Sequence, residues 1–259
     1  MTVGVDSAGG PAPARVRIGT AGWSIPKTQA EHFPPGGSHL ERYAGRFDAV
    51  EINSSFYRPH RKETYARWAA SVPEDFLFAV KVPRSVTHER RLAGTDDLLA
   101  RFLGEVGGLG QKLGPLLVQL PPSLAFRPGI ADAFLRALRG SFAGGIVCEP
   151  RHATWFTPDV DALLAELRIA RVAADPAPVP GAEEPGGWTG LTYRRLHGSP
   201  RMYYSPYAAA AIAAAATSLR DDAARGAEAW CIFDNTAEFA ATGDALSALD
   251  AAGGQAGTP

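Results

Sequence analysis

Eight short apolar runs recur along the chain at roughly thirty-residue intervals, most of them ending in a charged or amide residue. Nothing else in the sequence limits the fold as strongly. Strand-length runs alternating with helix-length segments imply parallel strands joined by right-handed crossovers. The runs are RIGTAGW (Arg17 to Trp23), AVEINSSF (Ala49 to Phe56), LFAVKVP (Leu77 to Pro83), GPLLVQLPP (Gly114 to Pro122), GIVCEPRH (Gly145 to His152), ARVAAD (Ala170 to Asp175), LTYRRLHG (Leu191 to Gly198) and AWCIFDN (Ala229 to Asn235). They predict an α/β fold, a TIM-type (β/α)8 barrel with its site at the carboxyl rim of the strands.

Segments of helical composition lie between the runs: Ser38 to Phe47, Lys62 to Val72, Asp96 to Leu109, Gly129 to Gly140 and Pro158 to Ile169. In the last, Val160, Leu163, Leu164 and Leu167 fall on one helical face. The Ala-rich stretch Ala208 to Ala216 also reads as helix, being too short for a membrane span. Between the sixth and seventh strands, PAPVPGAEEPGGWTG (Pro176 to Gly190) forbids a regular helix, so the barrel is expected to be irregular there. This segment reads either as a solvent-exposed connection or as a mobile cover that contacts the site through Trp188.

A length of 259 residues with 46% hydrophobic residues suits one barrel domain, placed at 16–250 between disordered tails at 1–15 and 251–259. The net charge of -1 offers no global basic field for nucleic acid, so any polyanion would be held locally. Cys148 and Cys231 lie inside apolar strands, which gives neither a disulfide framework nor a CxxC metal site. With no signal peptide in the amino-terminal segment, the expected location is the cytoplasm, without membrane association.

Alternation along a strand separates the side chains facing the helices from those facing the interior. Val50 and Ile52 then face the helices, and Glu51 and Asn53 point inward. The same parity turns Lys81, Glu149 and Arg151 inward and groups Arg195 with His197, while Asp175 and Asn235 end their strands. Three acids (Glu51, Glu149, Asp175) and three bases (Lys81, Arg151, Arg195) would meet at one mouth. Such a cluster persists around water, a metal or a polar ligand more readily than in dry protein.

In KVPRSVTHERRL, the group Lys81, Arg84, His88 and Arg90 suits an anion such as phosphate or carboxylate. His152 and His197 could each serve as a general base, a metal ligand or a purely structural residue. Tyr203 and Tyr204 are candidates for stacking on a ligand, and core packing explains Phe56. GxGxxG, Walker, HExxH and GxSxG signals are absent from the sequence.

The segments IGTAGWS, YAGRFDAVEINSSFYRP, FAVKVPRSVTH, LGPLLVQLPPS, CEPRHATWF, RRLHG, YSPY and IFDNTA, in this order, resemble the domain of unknown function 72 family, also called YecE-like. The resemblance runs from about Ile18 to about Leu249 and implies a TIM-barrel-like fold. Its polar signature falls on Glu51, Asn53, Lys81, His88, Gln119, Glu149, Arg151, His152, Asp175, Arg195, His197, Asp234 and Asn235. The chain departs from the family pattern after IGTAGWS, where it has IPKTQAEHFP, and in CEPRH, which lacks an aromatic between the Glu and the Arg. The resemblance extends in fold to sugar isomerases and endonuclease IV, whose barrels hold divalent metals.

Three functions follow as expectations. The leading one is an enzyme that binds, and hydrolyses, a phosphate-bearing ligand, a phosphodiester or nucleic-acid end among them. Lys81, Arg151 and Arg195 would hold the anion with Asn53, Arg84, Gln119, His152, Tyr203, Tyr204 and Asn235 around it. Glu51, Glu149 and Asp175 would act as bases or metal ligands, and His88 or His197 would carry protons. No cofactor is required, but a catalytic magnesium or manganese ion is compatible with the acids. The second is a sugar or sugar-phosphate isomerase or epimerase, and the third a non-enzymatic module that holds a small anion or a nucleic-acid end.

Overall fold

The protein is seen here as a computed structural model that describes residues 15–253. The tail expectations for 1–14 and 254–259 lie outside the described residues. Arg15 already joins the fold: its carbonyl accepts from Ala229 N at 3.0 Å and its guanidinium pairs with Asp48 and Asp75.

The strands are β1 (Val16–Thr20), β2 (Ala49–Ile52), β3 (Leu77–Lys81), β4 (Leu113–Gln119), β5 (Ile146–Glu149), β6 (Ile169–Arg171), β7 (Ala173–Asp175), β8 (Gly186–Gly187), β9 (Leu191–Leu196) and β10 (Glu228–Phe233). The helices are α1 (His39–Ala44), α2 (Ser54–Tyr57), α3 (Lys62–Ala70), α4 (Asp96–Val106), α5 (Pro128–Ser141), α6 (Pro158–Glu166), α7 (Ala209–Ala224) and α8 (Ala240–Ala251). Local chemistry accounts for the clearest boundaries. Ser38 Oγ accepts from Glu41 N while Glu41 Oε2 accepts from Ser38 N, a reciprocal cap that starts α1. Thr157 caps α6, Pro158 occupies its first turn, and Val160 and Leu164 are buried as their spacing predicts.

The fold is α/β with parallel sheets, but hydrogen bonding divides the strands into two sheets rather than one closed ring. One has the order β1, β10, β9, β7, all parallel; the other runs β2 to β6 in parallel and adds β8 antiparallel to β6. The first seam falls at Val172, the single residue between β6, which pairs with β5, and β7, which pairs with β9. The second lies between β1 and β2, joined by the bridge of Ala21 to Glu51 and by Gly22 N donating to Glu51 O at 2.8 Å. There the Tyr43 hydroxyl replaces ladder bonds: it accepts from Thr20 N at 2.9 Å and donates to Ala49 O at 3.1 Å. Gly19 permits the approach, since a Cβ there would sit 2.2 Å from Ala49 O.

Two apolar layers result. An outer core lies between strands and helices and includes Val50, Ile52, Val80, Val118, Cys148 and Cys231. An inner one is formed by side chains of opposite parity, among them Leu117, Val147, Val172, Tyr193, Trp230 and Ile232. Both cysteines are fully buried and unpaired, and burial raises their thiol pKa, to about 12 for Cys231.

Within the segment Pro176 to Gly190, Trp188 does not contact the carboxyl rim. Trp188 N donates to Ile169 O at 2.9 Å, at the start of β6, and the indole packs against the inner cluster. Trp188 therefore closes the amino-terminal end, opposite the site expected for it.

Candidate functional site

Above the inner apolar layer, the strands place one ionised group after another on the same parity. Arg195 on β9 is their hub, with 0% exposure. Its Nε and Nη2 donate to the two oxygens of Glu51 on β2 at 3.0 and 2.7 Å, and Nη1 donates to Glu149 Oε2 on β5 at 2.7 Å. Nη2 also reaches Asp234, just beyond β10, at 2.9 Å. The remaining carboxylate valences are met by neighbours. Tyr193 donates to Glu51 Oε2 at 2.9 Å, Arg151 Nε to Glu149 Oε1 at 2.9 Å, and Asn53 Nδ2 to Asp234 Oδ1 at 3.3 Å. His197 Nδ1 lies 3.0 Å from Asp234 Oδ2.

Electrostatics follow from this saturation. Burial alone would raise the Glu149 carboxyl, but Arg195, Arg151 and His197 hold it well below the usual range. Asp234 is lowered in the same way, against burial, by Arg195 and His197. Burial works against the His197 cation, yet its bond to Asp234 and the Glu149 carboxylate 3.3 Å from Nε2 raise its pKa. Burial also opposes the Arg195 charge, which Glu51, Glu149 and Asp234 more than restore. These groups form one ion-paired network, in which His197 Nε2 and Asn53 Oδ1 are buried without a hydrogen-bond partner. Glu51 and Glu149, expected as bases, are both ion-paired to Arg195, whose guanidinium is engaged by carboxylates.

Lys81, at the end of β3, differs from its neighbours. It is 6% exposed, yet among the described residues no carboxylate comes within 4.0 Å of its Nζ and no side-chain hydrogen bond engages it. Its ammonium instead lies 4.3 Å from the centre of the Phe56 ring. Burial first, and then the Arg195 charge, lower its pKa from 10.5 to about 8 despite Glu51, Glu149 and Asp234. The His88 ring meets the same Phe56 edge to face at 4.9 Å, and its Nδ1 lies 2.9 Å from Thr87 Oγ1. Burial, then Lys81, Arg84, Arg151 and Arg91, push His88 down to about 4, so the imidazole is neutral at pH 7. Arg151 reaches from beyond β5 toward the Tyr203 hydroxyl, 3.5 Å from Nη1, and the 37% exposed Tyr203 stands edge-on to His197.

A family model described as "Protein of unknown function DUF72" matches residues 17–258. The chain belongs to the DUF72 family. It is similar to UPF0759 protein YecE of Escherichia coli K12, with 32% identity over 64% of this chain and 61% of that protein. UPF0759 protein YunF of Bacillus subtilis 168 is 30% identical over 55% of this chain and 53% of its own length. The matched region thus spans less than two thirds of these relatives. Among solved structures, a DUF72 family protein from Enterococcus faecalis V583 superposes with a TM-score of 0.77 at 22% identity, covering 92% of this chain and 96% of that one. One from Thermotoga maritima MSB8 gives 0.74 at 23%, covering 91% and 98%.

In this DUF72 protein the other expected site residues scatter. Arg84 is exposed and paired with Glu89 at 3.1 Å, though its charge still reaches His88, whereas Arg90 donates to Gly94 O. His152 caps the short helix Ala153–Trp155 through Thr154 N and does not face the network. Asp175 accepts from the Tyr207 hydroxyl at 2.8 Å, away from Arg195, and the third acid of the hub is Asp234. Asn235 is buried between Ser205 O and Asp244, tying loops together, and Tyr204 lies under the Arg201 guanidinium. His197 is buried within the network, beside Asp234. Gln119 does end beside Glu149 in the β-ladder, but its amide donates to Leu120 O.

Alternation along β9 and β10 places Tyr193 and Asp234 inward with Arg195 and His197, the signal by which sequence parity locates them. Phe56 is buried, in keeping with its core reading, and its ring also packs against Lys81 and His88. Among the described residues no group of three His, Cys, Asp or Glu side chains could hold a metal ion. Because Glu51, Glu149 and Asp234 direct their oxygens at cations, the donor set does not fit the magnesium or manganese ion the sequence allowed. No helix among the described residues is long and apolar enough to cross a membrane.

Proposed function

We propose that the carboxyl rim of this DUF72 protein binds a small phosphate-bearing ligand, with Lys81 and Arg151 as its cationic contacts. Asn53, His88 and Tyr203 supply polar atoms around them. The observation that carries this reading is Lys81, a residue 6% exposed whose ammonium has no carboxylate partner among the described residues. A buried cation is costly unless paired, and an anionic ligand is the partner that would offset the cost. We read the two sheets as staves of one (β/α)8 barrel with seams at Val172 and at the Ala21–Glu51 bridge, which brings these residues to a single mouth.

Carboxylate-assisted hydrolysis of a phosphodiester and carboxylate-driven sugar isomerisation both need a free carboxylate. Glu51, Glu149 and Asp234 are committed to Arg195, so the reading rests on capture of the anion. Isothermal titration with orthophosphate, glucose 6-phosphate and a 5′-phosphorylated oligonucleotide tests it. Binding should weaken by about ten-fold or more in Lys81→Met, the worth of one charge-assisted contact. Lack of binding by all three at millimolar concentration would overturn it. Preference for the oligonucleotide would identify a nucleic-acid end as the source of the phosphate.

A further inference from the structure

The chain has four lysines, Lys27, Lys62, Lys81 and Lys112, among 26 basic residues; the other 22 are arginines. Arginine is used where a permanent cation must be held, as at Arg195 and Arg151. Lys27 and Lys62 are exposed, and Lys112 is half-buried with its Nζ donating to Ala69 O and Val72 O. Lys81 alone of the four is buried without a hydrogen-bonding acceptor or an ion-pair partner among the described residues. Arginine would supply a stronger and more directional anion contact at this position. What lysine offers in its place is an amine that can lose its proton and become a nucleophile.

We propose that Lys81 forms an imine with a small aldehyde or ketone that carries an anionic group, the anion resting on Arg151 and the carbonyl carbon meeting Nζ. The neutral amine adds to the carbonyl carbon to give a carbinolamine. The carbonyl oxygen then leaves as water with both amine hydrogens, and a C=N bond replaces C=O without change of oxidation state. This inference rests on the anion-binding reading of the rim and names its substrate class. Three features support it. The carboxylates around Lys81 are occupied by Arg195, Arg151 and His197, so none pins the amine as ammonium. Phe56 covers one side of Nζ and limits its hydration. Finally, a pKa of about 8 leaves roughly a tenth of the amine neutral at pH 7, about 300-fold more than at 10.5.

Reductive trapping tests the step. The full chain is incubated at pH 8 with glyoxylate or dihydroxyacetone phosphate, treated with sodium borohydride and mapped by peptide mass. The expected result is a reduced adduct on the Lys81 peptide at least ten-fold above Lys27, Lys62 and Lys112. It should be absent from Lys81→Arg, whose fold is checked by circular dichroism, and suppressed by excess orthophosphate. No Lys81 adduct from either carbonyl, or equal labelling of Lys81 and the exposed lysines, overturns the imine. Orthophosphate titration run alongside separates the two readings. Phosphate binding without an adduct refutes the imine and keeps the anion site; an adduct indifferent to phosphate does the reverse; neither refutes both.

Discussion

Replacing Lys81 with methionine should stabilise the protein at neutral pH while removing its anion contact. Burial and the Arg195 charge bring the ammonium down from 10.5 to about 8, a shift worth about 3 kcal/mol of folding free energy. Because the folded pKa lies below the unfolded one, the folded chain binds this proton the more weakly. The penalty is complete below pH 8, shrinks as the pH rises from 8 to 10.5 and vanishes above that. Methionine keeps an unbranched apolar stem over Phe56 and removes the charge. Loss of the cation–π contact offsets about 0.5–2 kcal/mol, leaving a net gain of about 1–3 kcal/mol at pH 7. Urea denaturation of both proteins at pH 7 and pH 10 reads the difference, which should narrow by about 2 kcal/mol at the higher pH. A methionine variant less stable than the parent by the same amount at both pH values would refute the claim that Lys81 is held charged at a cost.

Arg195→Met should be the reverse case, because it strands Glu51, Glu149 and Asp234 without their common partner; a loss of about 3–5 kcal/mol or more is expected in thermal or urea unfolding. A loss under about 1 kcal/mol would show that the hub is not holding these charges. His197 has a raised folded pKa, so its protonation stabilises the fold fully below about pH 6.5 and the benefit fades as the pH climbs through the raised value. Consequently the stability difference between the parent and His197→Gln should decline over that interval, and a flat difference would contradict the ion-pair assignment. His152→Ala should cost about 1 kcal/mol through loss of its cap and leave orthophosphate affinity unchanged by titration.

Much of this architecture was legible before coordinates. A period of strand and helix, read with inward parity, located Glu51, Lys81, Glu149, Arg151 and Arg195 on one side of the sheets. Parity specifies direction, however, and not company. Whether Glu149 is a free base or a closed ion pair depends on what arrives from β9, forty-six residues away, and no local pattern encodes that meeting. The seams escaped for a related reason: Tyr43 comes from α1 to take over bonds between β1 and β2, and Val172 is an ordinary strand residue whose neighbours pair in different sheets. Proximity along the chain also misled. Arg84 is three residues from Lys81, but leaving the strand turns it outward to Glu89, whereas Arg151, seventy residues on, shares the rim.

Charge pairing connects the network with the reactive amine. Glu51, Glu149 and Asp234 are ion-paired with Arg195 and Arg151, and His197 lies 3.0 Å from Asp234 and 3.3 Å from Glu149 among them. Lys81 is the cation among these groups with no carboxylate in contact. Two routes resolve this: an anion arrives, or the amine gives up its proton and becomes a nucleophile. A ligand whose anionic group stopped at Lys81 would favour ammonium and silence the amine, since a nearby negative charge raises its pKa. One whose anionic group stops at Arg151 leaves Nζ free to attack. The separation of Lys81 on β3 from Arg151 beyond β5 is therefore what allows one rim to bind an anion and still present a neutral amine to its carbonyl.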